Sequence, residues 1–219
     1  MIKHQERVHV LAAFGDITNF RGYTRKLSDD PTQKNRFLKD FDELLDDFEF
    51  RSGYFLKDLS DGFLCIKKIQ GRNGSCVVKF LNDLLIFNDQ INFLIKSQKY
   101  PRPDGFRIRV TAGHVTQKMK KNGMIDFRGD HIDLAATMLQ IEKNVPFLVH
   151  ESAKQLLTVA ESQIAQFTFT HIPVMRLRRY KEQIYKEELG ALWSLEKNIP
   201  RREMRCGLSK RCKRFSPEG

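Results

Sequence analysis

The sequence predicts an α+β fold: a mainly antiparallel sheet on a ferredoxin-like βαββαβ core, with helices covering one face. Three observations predict it. Strand-like and helix-like runs alternate along the chain. The first long helical run carries an apolar stripe and the second is strongly apolar, so each needs a sheet to cover. An Asp61-Gly62 pair lies between two apolar runs, which marks a hairpin inside the alternation.

Residues 7–15 are a continuous apolar run, read as a buried strand. Ser28-Asp29-Asp30-Pro31 offers a helix start. From Lys34 to Phe50 the residues Phe37, Leu38, Phe41, Leu44, Leu45 and Phe48 recur at threes and fours, and Arg51-Ser52-Gly53 ends that helix. Residues 54–57 and 62–68 pair as a hairpin. Gly71-Arg72-Asn73-Gly74-Ser75 is a loop before a second long helix, apolar on more than one side from Val77 to Ile95. The loop lacks the Lys-Ser/Thr pair of a phosphate-binding P-loop and reads as a plain connection.

Phe106, Ile108, Val110 and Ala112 alternate with Arg107, Arg109 and Thr111, the pattern of a half-buried strand. Residues 124–127 return as its partner. A third helix follows Arg128-Gly129-Asp130, with Ile132, Leu134, Ala135, Met138, Leu139 and Ile141 apolar. Phe147-Leu148-Val149 is a short strand and Glu151 to Val159 a short helix. Residues 166–172 and 183–193 read as final strands, or as a strand and a helix.

The chain has 219 residues, 41% hydrophobic and 30% charged, which suits one globular domain with an appendage. No apolar stretch reaches the roughly 18–20 residues of a membrane-spanning helix, and the first residues are too polar for a signal peptide. The expected compartment is cytoplasmic. The net charge of +11 favours polyanionic partners such as nucleotides. Arg176, Arg178, Arg179 and Lys181 form one basic cluster, and residues 195–219 form a basic tail, expected to be flexible and solvated. Nothing in the core matches a helix-turn-helix or an RNA-recognition signature, so nucleic-acid binding is not expected there. Of the four cysteines, Cys65 and Cys76 read as buried thiols, and Cys206 and Cys212 lack the histidines a zinc site would need. His9, His114 and His131 have no metal-ligand spacing. Trp193 reads as a core or interface anchor.

Two segments carry chemistry: Val8 to Phe20, with Asp16 at its polar end, and Tyr54 to Ile66, with Asp61 in the turn. Side by side, their carboxylates would converge on one point, as needed to hold a divalent cation over a triphosphate. Each aspartate alone reads equally well as ordinary turn chemistry.

These two turns, with the segments Arg107 to Val115 and Asp126 to Ala136, resemble the class III nucleotidyl cyclase catalytic domain, from about Val8 to Tyr185. The resemblance implies residues 1–194 as the catalytic domain. It implies Asp16, Asp61 and the carbonyl of Ile17 as ligands of two divalent metal ions (Mg2+ or Mn2+). In the family one ion activates the ribose 3′-hydroxyl and the other clamps the triphosphate of a nucleoside triphosphate. It implies Lys57 and Asp126 as readers of the base, a pair that suits adenine and does not exclude cytosine. Phe20 falls in the segment after the first metal aspartate. Arg178 takes the phosphate-binding lysine's place, with Arg179 beside it. It also implies a homodimer with sites at the interface.

The chain departs from the family pattern. Asp133 and Thr137 stand where the family has an asparagine and an arginine facing the triphosphate. Ser60 replaces a glycine before the second aspartate, and Asn19-Phe20-Arg21 replaces Gly-Phe-Thr. No sensor domain is evident. A divergent, bare catalytic domain resembles the pyrimidine cyclases of Pycsar antiphage systems, which convert CTP or UTP to a 3′,5′-cyclic nucleotide that activates a separate effector protein. The alternatives are an adenylate cyclase and a catalytically inert nucleotide-binding regulator.

Overall fold

The computed structural model describes residues 5–27, 31–70, 74–98, 101–120, 122–141, 144–159, 167–172 and 190–197. Strand β1 (Gln5–Thr18) leads to helices α1 (Phe20–Lys26) and α2 (Pro31–Ser52). The hairpin β2 (Phe55–Asp58) and β3 (Gly62–Lys68) follows, then α3 (Gly74–Ser97). A second hairpin, β4 (Gly105–Met119) and β5 (Ile125–Arg128), precedes α4 (Asp130–Met138) and β6 (Phe147–His150). The chain continues through α5 (Glu151–Lys154), a 3-10 turn at Gln155–Val159, β7 (Phe167–Ile172) and β8 (Leu192–Lys197).

The sheet runs β2-β3-β1-β4-β6-β8-β7, with β5 paired to β4. Only the β4–β6 pair among these is parallel. The segment β1-α2-β2-β3-α3-β4, in strand order β2-β3-β1-β4, is the expected ferredoxin-like core.

Strand alternation decides what each face carries. Leu11, Ala13 and Ile17 of β1, Phe63 and Cys65 of β3, and Phe106, Ile108 and Val110 of β4 point to one face. There they pack on Phe37, Phe41, Leu45 and Phe48 of α2 and on the apolar side of α3. The aromatic rings interlock, with Phe48 stacked on Phe87 at 4.4 Å and Phe63 edge-on to Phe87 at 5.4 Å. Burying rings of this size stabilises by about 2–3 kcal/mol each. The opposite face holds a smaller cluster of Val10, Ala12, Leu64, Ile66, Val115, Phe127 and Ile132. Asp16 shares the parity of Val10 and Ala12, so it stands on this second face.

Several expectations need correction. Helix α1 went unpredicted; seven residues with Gly22 inside leave too little periodicity to read. Strand β4 is buried on both faces from Phe106 to Gly113, not half-buried. Its second face is covered by α4, the described helix that leaves the main helical layer to pack there. The last described strand is Leu192–Lys197, which crosses the expected boundary at residue 194; residues 183–189 lie outside the described residues, as does most of the tail. Cys65 is buried as expected and burial pushes its thiol pKa up, whereas Cys76 is only half-buried. Trp193 anchors the end of the sheet: its indole N–H donates to Glu151 Oε2 at 2.9 Å, and Lys154 lies over its ring.

Candidate active site

The two aspartate turns lie side by side. Asp16 pairs with Gly62 of β3 on one flank and with Arg107 of β4 on the other. The backbone N–H of Ile17 donates to the carbonyl of Asp61 at 2.8 Å, tying the β2–β3 loop to the end of β1. A close approach makes this possible. A Cβ on Gly62 would lie 2.0 Å from the carbonyl oxygen of Gly15, so only glycine fits there.

The loop differs from an Asp-Gly turn. The connection is Leu59-Ser60-Asp61, and the left-handed residue is Ser60, at φ 70°. Asp58 Oδ1 accepts the Ser60 N–H at 2.8 Å and holds the strained residue in place. Thus the glycine at 62 serves proximity, and the serine at 60 bears the turn.

Electrostatics bind Asp16 to Arg107. The Arg107 Nε donates to Asp16 Oδ2 at 3.0 Å, and Nη2 donates to the same oxygen. Arg107 is 8% exposed, and its Nη1 is buried with no partner among the described residues. Burial raises the pKa of Asp16; the Arg107 hydrogen bond and charge oppose the rise, and the negative charge of Asp61 adds to it. Asp61 is therefore near enough to act on Asp16. The sequence reading passed over Arg107 as one more polar residue of an alternating strand. Arg107 is the third residue of β4, and only the strand pairing aligns it with Asp16.

Arg109, two residues on, is fully buried. It does not join the carboxylates. Its Nε donates to the Met138 carbonyl at 3.0 Å, Nη1 to Val145 at 2.9 Å and Nη2 to Ile141 at 3.3 Å. It fastens the end of α4 and the following loop to the sheet.

Lys57 is exposed on β2 and pairs with Leu64, which places it on the Asp16 face. Asp126 on β5 is 9% exposed. Desolvation works against its charge, but Arg128, Lys120 and Lys57 outweigh it and hold the carboxyl below its usual range. The rings of Phe55 and Phe127 meet at 4.9 Å and bring β2 and β5 together. The structure thus brings Lys57 and Asp126 into one neighbourhood and Asp16, Ile17 and Asp61 into another.

The half-buried Phe20 opens α1 and packs on the helix-side core beside Tyr23, at 6.3 Å between rings. Arg178 and Arg179 lie outside the described residues. The Thr137 hydroxyl donates to the Asp133 carbonyl at 2.8 Å, so it is turned into its own helix. Asp133 is exposed and, with Asp130, sits in the first turn of α4, where negative charge favours the helix. His114 stacks on His9 at 4.8 Å, on the parity of Ala112, away from Asp16.

The donor set suits a divalent cation. Two carboxylates and a nearby backbone carbonyl are hard oxygen ligands of the kind Mg2+ and Mn2+ prefer. Asp16 Oδ1 accepts no hydrogen bond among the described residues. Among those residues no group of three or more His, Cys, Asp or Glu side chains gathers around one point. No described helix is long and apolar enough to cross a membrane.

No protein-family model and no curated protein matches the chain. Solved structures do. The adenylyl cyclase CyaB from P. aeruginosa superposes with a TM-score of 0.66 at 14% identity, over 90% of this chain and 98% of that one. The guanylyl cyclase domain of the RhoGC fusion protein from the aquatic fungus Blastocladiella emersonii gives 0.59 at 19%, over 91% and 100%. The guanylyl cyclase Cya2 gives 0.62 at 11%, over 90% and 96%. The fold of the chain is that of the class III nucleotidyl cyclase catalytic domain.

Proposed function

We propose that this protein is a nucleotidyl cyclase, converting a nucleoside triphosphate to a 3′,5′-cyclic nucleotide and pyrophosphate. One observation carries the reading: Asp16, near the end of β1, lies beside the β2–β3 loop that carries Asp61, and the buried Arg107 holds the Asp16 carboxylate. Asp16, Asp61 and the Ile17 carbonyl would hold two divalent ions, Mg2+ or Mn2+. Bound there, the ions supply charge neutralisation to the triphosphate and to the attacking oxygen.

The protein's own groups do the rest. The buried guanidinium of Arg107 fixes the Asp16 carboxylate in place, and a charge held in place at low dielectric stabilises developing negative charge well. It supplies part of what Thr137 does not. Arg178 and Arg179 are proposed as further phosphate contacts. Lys57 donates to the base and Asp126 accepts from it. Phe20 braces the segment after Asp16.

A second copy completes the site. The exposed apolar tip of the β4–β5 hairpin supports a homodimer: Met119 is 56% exposed, Met124 59% and Ile125 37%. Base contacts from one subunit then face the metal carboxylates of the other. CTP or UTP is the proposed substrate, in antiphage signalling through a separate effector protein; the divergence at Asp133 and Thr137 supports this reading over an adenylate cyclase. One observation favours an inert nucleotide-binding regulator instead: the Thr137 hydroxyl is spent on its own helix.

The test is incubation with ATP, GTP, CTP and UTP in turn, with Mn2+, and mass spectrometry of the products. A cyclic nucleotide that disappears with Asp16→Ala and with chelator supports the proposal. Binding without turnover in all four cases supports the inert regulator.

A further inference from the structure

Asp126 does not stand as a free acceptor. Its Oδ2 accepts from Arg128 Nε at 3.2 Å, and Lys120 Nζ lies 3.7 Å from the same oxygen. The carboxylate is nearly buried, whereas both cations are exposed. Oδ1 accepts nothing among the described residues. Arg128 itself is 72% exposed along its side chain, which leaves its Nη donors facing outward. Lys57 reaches the same neighbourhood from β2, on the other side of the Phe55–Phe127 contact. A ligand edge entering between β2 and β5 therefore meets cationic donors from both strands and one acceptor between them.

Base edges differ in what they ask of such a site. Uracil offers a carbonyl, an N–H and a second carbonyl, which calls for donor, acceptor, donor. Cytosine offers an amine and two adjacent acceptors. Guanine offers a carbonyl and two adjacent donors, which ask for both carboxylate oxygens, and Oδ2 already faces two cations. Adenine satisfies Lys57 and Asp126 but has no third partner on its Watson–Crick edge. We propose that Arg128 is a specificity residue that donates to the uracil carbonyl standing where cytosine carries its amine, and that the site selects uracil, making UTP the preferred nucleotide. This rests on the cyclase reading above and narrows its substrate.

The test measures kcat/KM for the four nucleotides in the wild-type protein and in Arg128→Met and Arg128→Lys, with calorimetric binding of UTP and CTP alongside. The expected result is UTP favoured over each other nucleotide by about tenfold or more, since a site built on hydrogen bonds rejects an analogue that mismatches them. Arg128→Met should lower kcat/KM for UTP about tenfold, mainly through KM, leave CTP within about threefold, and Arg128→Lys should recover part of the loss. Preference for CTP or ATP, or an equal loss for every nucleotide in Arg128→Met, would overturn it. Should no nucleotide turn over, the cyclase reading fails separately. Calorimetry then decides: UTP binding that exceeds CTP binding and depends on Arg128 sustains the specificity proposal, and equal binding ends it.

Discussion

Arg107 and Asp16 face each other across the β1–β4 ladder, and the guanidinium donates two hydrogen bonds to a single carboxylate oxygen. The second carboxylate oxygen stays open, while the third guanidinium nitrogen is buried without a partner among the described residues. The pair thus holds an anionic ligand atom in place beside a buried positive charge.

Arg107→Met tests that pairing. It strands a part-buried carboxylate without its partner. A fully buried pair broken this way costs ~3–5 kcal/mol, and the partial exposure of Asp16 lowers the expectation to about 2–3. Turnover should fall further, by about a hundredfold or more, because the charge that positions Asp16 and offsets developing negative charge is lost. Thermal melting and initial rates measured side by side check both; activity within threefold of wild type would refute the assignment.

The β2–β3 loop makes opposite demands at neighbouring positions. Ser60→Gly relieves a left-handed residue and should stabilise by about 0.5–1 kcal/mol. Gly62→Ala drives a methyl into the Gly15 carbonyl and should destabilise by more than about 2 kcal/mol, with loss of activity as Asp61 is pushed away from Asp16. Denaturant melts of the two variants should move in opposite directions.

Arg109 predicts a purely structural failure. Arg109→Leu leaves the carbonyls of Met138, Ile141 and Val145 without a buried donor, at about 1–3 kcal/mol for each unsatisfied group. Hydrogen exchange should rise at the end of α4 and in the adjoining loop before it rises in α3. Uniform exchange across both helices would argue against a local clamp.

The stacked pair His9 and His114 predicts a pH response. Burial lowers the pKa of His9, and the neighbouring imidazoles His114 and His131 lower it further. The folded protein therefore resists protonation there. Its contribution to stability is complete above the ordinary histidine range and is lost as pH falls through that range toward the lower folded value. Melting temperature should drop between pH 7.5 and 5.5. His9→Phe, which keeps a ring on His114, should flatten the drop; an unchanged slope would assign it elsewhere.

The ferredoxin-like core was legible because period-two and threes-and-fours patterns are local consequences of backbone geometry, as the α2 series from Phe37 to Phe48 shows. The two aspartate turns were legible too, since Asp16 ends an apolar run and Asp61 lies between two, and the fold sets these turns side by side. What tertiary structure alone decided was the partner of each charge. Arg107 and Arg109 look alike in the chain, two residues apart on one face of β4, yet one holds a carboxylate and the other a helix end. Nothing local distinguishes them: the first faces the end of β1 and the second lies under α4, and both neighbours are brought by distant chain. Likewise the turn conformation fell on Ser60 and not on Gly62, because a strand packed against residue 62 left no room for a side chain there.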